Sequence, residues 1–524
     1  MKVLIADKLS PAAVAIFKDR GVEADNKPGM TKEELLAVVH QYDGIAIRSA
    51  TKITADVLKA ATKLKVVARA GIGVDNVDIP AATAAGVIVM NTPFGNSITT
   101  AEHAISLMLA LARELPAANA STQAGKWEKN RFMGVEITGK VLGLIGAGNI
   151  GSIVADRAQG LKMRVIAYDP FLSLERAKDI GVEKVELNDL LARADFITLH
   201  VPMTPETKNI LSAEALAKTK KGVRIIICAR GGLIDEKALK AAIDSGQVAG
   251  AALDVFETEP AKENVLFGNE KVVATPHLGA STNEAQENVA LQVAEQISDY
   301  LLTGAITNAL NMPSISASEA EKVGPWIALA SKLGAFAGQL TDTSLSAVEI
   351  VYEGTAGQLN TRALTQAALA GLLTPILSGV NMVNAPLIAK ERGIKVSETR
   401  RDAQGIYEGY IKIVVSMGDT TRRVSGTVFS DGRPRLIQIK DINLDAEFAA
   451  HMLYVVNEDK PGFIGTLGTL LGEAKVNIAN FTLGRSAPGQ DAICLVEVDG
   501  PVPESVTAAL TKLPLVKMAK ALAF

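Results

Sequence analysis

VLGLIGAGNIG, from Val141 to Gly151, carries a short apolar run straight into Gly146-x-Gly148-x-x-Gly151, and Asp169 closes the next apolar run, RVIAYD. Strand, tight glycine turn, helix and distant acid, in that order, describe a dinucleotide pocket. The first glycine lets the chain turn out of the strand, the second lets backbone approach a pyrophosphate, and the third lets helix pack on sheet. Each job needs a missing Cβ. A helix opening near Asn149 would aim its free N–H groups and the positive end of its dipole at the pyrophosphate. Asp169 would accept hydrogen bonds from the adenosine ribose hydroxyls, and its charge would repel a 2′-phosphate, so the pattern predicts NAD rather than NADP.

Composition sets the bounds around this motif. A chain of 524 residues, 48% of them hydrophobic, can bury several cores, and at about 150 residues per domain roughly three to four domains are expected. A net charge of -3 offers no large basic field for nucleic acid or anionic lipid. The two cysteines, Cys228 and Cys494, lie far apart in apolar runs. That pattern suits a reduced cytoplasmic protein and forms no metal-ligand pair. The opening MKVLIADK is too short for a signal sequence, and no later stretch approaches about eighteen uninterrupted apolar residues. A soluble protein without nucleic-acid or membrane partners and without a metal is expected.

Before the glycine motif, VLIAD, GIAIRS, KLKVVAR and VIVMN alternate with helical patterns, which predicts parallel strands. The helix TAEHAISLMLALAREL leads into the motif. After Asp169 the alternation resumes as DFITLHVP, RIIICARG, VAGAALDVF and KVVATPHLG. Two doubly wound parallel-sheet domains of Rossmann or flavodoxin-like type are therefore expected. The first spans 1–98 together with 285–312, because the helix NEAQENVALQVAEQISDYLL returns to it, and the second spans 99–284. Closure of one on the other is expected about hinges near 97–99 and 284–290. NMPSISAS reads as a linker. Beyond it, 313–447 mixes the helices WIALASKLGAFAGQL and TQAALAGLLTPIL with strands SLSAVEIVYEG, YIKIVVSMG, RRVSGTVFS and RPRLIQIKD, an α+β domain. The segment 448–524 reads βαββαβ, the split ferredoxin-like order.

Five histidines limit the search for a proton-transfer group. His40, His103 and His451 read as packing or surface residues, and His200 as a satisfied strand-end residue. His277 stands apart, since it follows Pro276 just past the strand KVVAT, and ligands of open α/β sheets bind outside the carboxyl ends of strands. Arg230 after IIICA and Glu259 after AALDVFET occupy equivalent places. A cation, an acid and an imidazole at successive strand ends predict catalysis. Glu259 would orient His277, His277 would take a hydroxyl proton as hydride leaves, and Arg230 would grip a carboxylate in a fork.

VLGLIGAGNIG, YDP, ICARGGLID, ALDVFETEP and TPHLGAST, in this order, resemble the D-isomer-specific 2-hydroxyacid dehydrogenases, and more closely the D-3-phosphoglycerate dehydrogenase family; RSATKIT, RAGIGVDNVD and NTPFGNS match as well. The resemblance implies NAD-dependent oxidation of 3-phospho-D-glycerate to 3-phosphohydroxypyruvate, the first step of phosphorylated serine biosynthesis, with Arg230, Glu259 and His277 as the catalytic set. It implies a cofactor site of Gly146, Gly148, Asn149, Ile150, Gly151, Asp169, Val201, Pro202, Cys228, Ala229, Arg230, Asp254, His277, Gly279 and Ala280. For the substrate it implies Arg48, Ser49, Arg69 and Gly71, with Arg131 reaching into a neighbouring subunit's site. The substrate's phosphate also demands cations on physical grounds, because an unpaired dianion is costly to bury.

The tail from 313 onward resembles the intervening and ACT domains of long-form members of that family. The resemblance implies L-serine as an effector at an ACT interface, touching Asn457, Asp459 and Asn477; Asn457 departs from the family's usual residue. A homodimer or homotetramer is implied through the helix after Asn96 and through ACT pairing. Two alternatives stand beside this reading: a dehydrogenase of a non-phosphorylated 2-hydroxy acid, and an NADH-sensing binding protein like the corepressors built on the same fold.

Overall fold

The computed structural model describes residues 1–342, 344–402, 406–418 and 420–524. Its first sheet has five parallel strands in the order Glu23–Asn26, Lys2–Ile5, Gly44–Ile47, Val66–Arg69 and Ile88–Asn91. GIAI and IVMN are buried at every position. Such continuously buried, mostly apolar runs are what a parallel sheet covered on both faces requires. The helix Asn283–Thr303, capped by Thr282 at its start and by left-handed Gly304 at its end, supplies Val289, Val293 and Ile297 to the core that also holds Val3, Ile5 and Phe17.

The second sheet has seven parallel strands. From one edge they run Val272–Ala274, Val248–Leu253, Val223–Ile227, Phe196–Leu199, Val141–Ile145, Arg164–Tyr168 and Glu183–Lys184. The strand order reverses beside Val141–Ile145, which therefore meets the crevice where doubly wound sheets bind nucleotides. Helix Ser97–Ala112 packs into this unit's core through Ala104, Leu107 and Met108. The chain thus crosses between the two units at Asn96 and again near Thr282. Gly95 sits at the crossing, where a Cβ would lie 2.5 Å from Val289 Cγ1.

The third sheet is mixed, in the order Lys395–Arg401, Ala347–Gly354, Gly409–Met417, Thr420–Val428, Pro434–Ile439 and Ile442–Glu447, with only the first pair parallel. The fourth is antiparallel: Ile478–Arg485, Asp491–Val498, His451–Glu458 and Val516–Ala523. With helices Phe463–Glu473 and Glu504–Thr511 it completes the βαββαβ order. No helix among the described residues is long and apolar enough to cross a membrane.

Several features differ from the sequence reading, among them the unforeseen strands Glu23–Asn26, Glu183–Lys184 and Ile442–Glu447. The edge strand KVSETRR, Lys395–Arg401, is almost wholly exposed, so it carries none of the apolar alternation that marks a strand. NMPSISAS is not a free tether: Ile315 exchanges backbone hydrogen bonds with Ile306 at 2.6 and 2.8 Å, and both side chains are buried. The following helix begins earlier than WIALAS suggests, at Ala317, because Ser316 and Glu319 form a reciprocal capping box.

Candidate active site

The glycine loop shows why each glycine stands where it does. Gly146 has φ +95°, and a Cβ there would lie 2.7 Å from the His200 carbonyl oxygen and 2.6 Å from Val201 Cγ1. A Cβ on Gly151 would lie 2.1 Å from the Gly146 carbonyl oxygen, whereas one on Gly148 would meet nothing within 4 Å. Helix Asn149–Gly160 starts there with no side-chain cap, with Ile150 in its first turn, so its first N–H groups stay free for an anion. Asp169 accepts hydrogen bonds from Ala147 N at 2.9 Å and Phe171 N at 2.8 Å. A carboxylate has further lone pairs, so this half-buried acid is fixed beside the loop with capacity left for ribose hydroxyls. These residues fit a bound NAD.

The carboxyl ends of the two parallel sheets meet across a cleft. His277 Nδ1 lies 2.7 Å from Glu259 Oε2, and Glu259 Oε1 accepts the Phe256 N–H at 3.0 Å. The Glu259 hydrogen bond raises the His277 pKa above its ordinary value against the opposing effect of burial. Burial pushes the Glu259 carboxyl up, but His277 and the Phe256 N–H outweigh it and leave it below the usual carboxylate range. With Nδ1 engaged, Nε2 is the nitrogen left for a substrate proton. His277 also adopts φ +54°, a left-handed backbone that costs a non-glycine residue free energy and persists only where the surroundings enforce it.

That enforcement comes from Asp254, fully buried. It accepts from Thr275 Oγ1 at 2.6 Å, Leu278 N at 2.7 Å and Gly279 N at 2.8 Å, while His103 Nε2 lies 3.2 Å away. Asp254 thus ties down both sides of His277. Sequence reading gave His103 only a packing role and so missed its place in this network. Thr100 Oγ1 donates to the Gly279 carbonyl at 2.9 Å, and the Ala280 carbonyl takes a hydrogen bond from Gln286 Nε2 at 2.7 Å. Cys228 is a buried free thiol whose pKa burial pushes up, making it a wall rather than a nucleophile. The Pro202 carbonyl accepts from Thr207 Oγ1 at 2.6 Å. His200 is less satisfied than expected: Nε2 meets Thr198 Oγ1 at 2.9 Å, but buried Nδ1 has no partner, and burial lowers its pKa to about 4.

Cations gather on the first sheet's side. Arg48, at the end of Gly44–Ile47, is anchored through its backbone N–H to Asp7 Oδ2 at 2.6 Å, and Ser49 is exposed beside it. Arg69 ends its own strand and folds over Gly71, whose φ is +139° and whose Cβ would lie 2.6 Å from Arg69 Nη1. Burial first, and then the neighbouring charge of Arg230, push the Arg69 pKa down to about 10, with Arg48 adding to the repulsion. It remains charged at neutral pH, in a cluster short of negative charge. Arg230 Nη1 donates to the Ala229 carbonyl at 2.7 Å, and Nε lies 3.3 Å from Asp75 Oδ2. Arg131 lies outside this group, paired with Glu128 at 2.8 Å and with Glu270.

In the single chain the side chains of Asn457, Asp459 and Asn477 bond to other groups rather than to one another. Asn457 is 2% exposed and its Oδ1 has no hydrogen-bond partner. Asp459 Oδ2 is held by Arg485 Nη1 at 2.8 Å, which keeps its carboxyl below the usual range. Asn477 Nδ2 donates to Asp499 at 2.7 Å.

Family models match in the same order as these units: the NAD binding domain of D-isomer specific 2-hydroxyacid dehydrogenases over 105–279, the D-3-phosphoglycerate dehydrogenase intervening domain over 322–440, and the ACT domain over 451–515. A D-3-phosphoglycerate dehydrogenase of Synechocystis sp. is 44% identical, covering 98% of this chain and 92% of its own. One of Archaeoglobus fulgidus is 43% identical, with 98% of each chain covered. Among solved structures, a glyoxylate reductase from Paecilomyes thermophila is similar with a TM-score of 0.55 and 32% identity, over 59% of this chain and 97% of its own. That structure matches only part of the chain, whereas the two relatives run nearly from end to end, through the glycine loop, the strand-end triad and the tail alike. The chain belongs to the D-3-phosphoglycerate dehydrogenase family.

Proposed function

We propose that Arg230, Glu259 and His277 carry the chemistry of this 3-phosphoglycerate dehydrogenase, an enzyme that oxidises 3-phospho-D-glycerate to 3-phosphohydroxypyruvate with NAD and so opens serine biosynthesis. Bound NAD supplies the two-electron acceptor. His277 takes the C2 hydroxyl proton on Nε2, and Glu259 stabilises the imidazolium that results. Arg230 holds the substrate carboxylate in a forked grip, which the planar guanidinium suits better than an ammonium. Arg48 and Arg69 receive the phosphate, where a dianion would relieve the mutual repulsion of buried like charges. The observation that carries the reading is the 2.7 Å His277–Glu259 pair at a cleft that Arg230 also reaches.

Steady-state kinetics with phosphorylated and unphosphorylated 2-hydroxy acids test it. Turnover with 3-phosphoglycerate should far exceed that with D-glycerate or D-lactate, and Arg48→Ala should raise KM for phosphoglycerate much more than for either. Equal use of all three would defeat the phosphate assignment, and His277→Asn that keeps its turnover would defeat the base.

The tail and the surface extend the proposal. L-serine at a face between two ACT units, met by Asp459, Asn477 and Asn457, is the proposed effector; the ionised Asp459 supports recognition of an ammonium group. A homo-oligomer is proposed through the surface around helix Ser97–Ala112, with Arg131 serving the neighbouring site. Phe94, Ile98, Leu115 and Trp127, within or flanking that helix in the chain, are all exposed, and exposed apolar groups support burial by a second copy. The two buried free thiols support a reduced, cytoplasmic setting. The proposed domain limits are 1–98 with 285–312, 99–284, 313–447 and 448–524.

A further inference from the structure

The cleft holds three guanidinium groups, and the acids around them are not equivalent. Asp7 is occupied, accepting from Arg48 N at 2.6 Å and from Thr51 Oγ1 at 2.6 Å. Asp254 is consumed by the loop that carries His277, and Glu259 by His277 itself. Asp75 differs from all of them. Its side chain is 79% exposed, and its ion pair is with Arg230 at 3.3 Å. The two residues stand on opposite walls: Asp75 follows the strand Val66–Arg69 of the first sheet, and Arg230 follows Val223–Ile227 of the second.

The backbone is shaped for this contact. A Cβ on Gly73 would fall 1.7 Å from Arg230 Nη2, so the absence of a side chain at 73 is what lets the guanidinium cross the cleft. A carboxylate thus already sits on the cation that the substrate carboxylate needs.

We propose that Asp75 is the built-in occupant of the Arg230 carboxylate site, a clasp across the cleft that a 2-hydroxy acid displaces on binding. The proposal rests on Arg230 being the carboxylate's partner. An exposed pair contributes little to stability, so the clasp holds Arg230 extended toward the substrate and yields readily to a carboxylate that is also anchored by its phosphate. Because every 2-hydroxy acid presents the same carboxylate, displacement imposes the same factor on phosphorylated and unphosphorylated substrates.

The experiment compares the full-length wild type, Asp75→Asn and Asp75→Glu at saturating NAD, measuring KM for 3-phosphoglycerate and for D-glycerate. It also measures the inhibition constant of oxalate with NADH bound. Asp75→Asn should lower both KM values by a common factor of about two to five and tighten oxalate by a similar factor, while Asp75→Glu stays near wild type. A rise in KM would overturn the proposal by making Asp75 a support for Arg230 rather than a competitor. A fall confined to 3-phosphoglycerate would overturn it by placing Asp75 against the phosphate. Arg230→Lys separates the two readings. If it weakens both substrates and oxalate while Asp75→Asn changes nothing, the clasp alone fails; if it leaves all three unaltered, the carboxylate assignment itself fails.

Discussion

At the scale of single residues, His277 is held from every side before any substrate arrives. Its ring is fixed by Glu259, its backbone is forced to φ +54°, and Thr275 before it and Leu278 and Gly279 after it are tied to a fully buried Asp254. The sign of the Glu259 interaction can be read in the pH profile. Oxidation needs a neutral imidazole, so kcat/KM for 3-phosphoglycerate should rise with pH through the elevated His277 pKa, and the reverse reaction should fall through it. In Glu259→Gln a neutral amide replaces the carboxylate whose hydrogen bond and charge raise this pKa, and burial, which lowers it, is opposed by Asp254 alone. The rising limb should move to lower pH, with kcat/KM down roughly 100-fold or more. Initial rates from pH 5 to 10 check both effects, and an unmoved limb would show that the titrating base is another group.

At the scale of elements, glycines decide how closely helices approach in the tail. Helices Ala317–Gln339 and Thr361–Leu373 meet at Gly334, Gly338 and Gly371. A Cβ at these places would fall 2.1 Å from the Ala368 carbonyl oxygen, 2.2 Å from that of Leu372 and 2.0 Å from that of Ser331. The opposing atoms are backbone, so relief requires the helices to separate. Gly371→Ala should therefore destabilise the tail by about 1–3 kcal/mol, despite alanine's better helix propensity. Urea unfolding followed by circular dichroism measures this; a stabilised variant would mean the helices part without loss. A glycine inside a helix costs propensity, and nothing local in ALASKLGAFAGQL or ALAGLL marks what these glycines gain. Their purpose appears only with the partner helix in place.

At the scale of the whole molecule, one hydrophobic core runs from Val323 through Leu522, joining the mixed sheet to the antiparallel one. Phe336 and Tyr454 meet edge to face at 5.6 Å across that join. Gln339 exchanges hydrogen bonds with the Ala523 backbone at 2.8 and 2.9 Å, and Lys520 pairs with Asp342. Two units that read as separate in the sequence thus share their packing, and the tail should unfold as one cooperative body. Phe336→Ala should cost about 3–5 kcal/mol and lower one calorimetric transition belonging to both units. Two transitions moving independently would refute the shared core.

The sequence by itself determined the parallel sheets, the glycine loop, the strand-end placement of Arg230, Glu259 and His277, and the βαββαβ order of the tail. Each of these follows from local patterns: apolar runs with a period, a glycine where a Cβ cannot fit, and a polar residue just past a strand. Tertiary structure alone decided that Asp75 faces Arg230, that His103 reaches Asp254, that Ile315 is bridged rather than free, and that the last two sheets share a core. Those contacts join residues far apart in the chain, and their cause is the crossing of separately formed elements, which leaves no periodic trace in either segment.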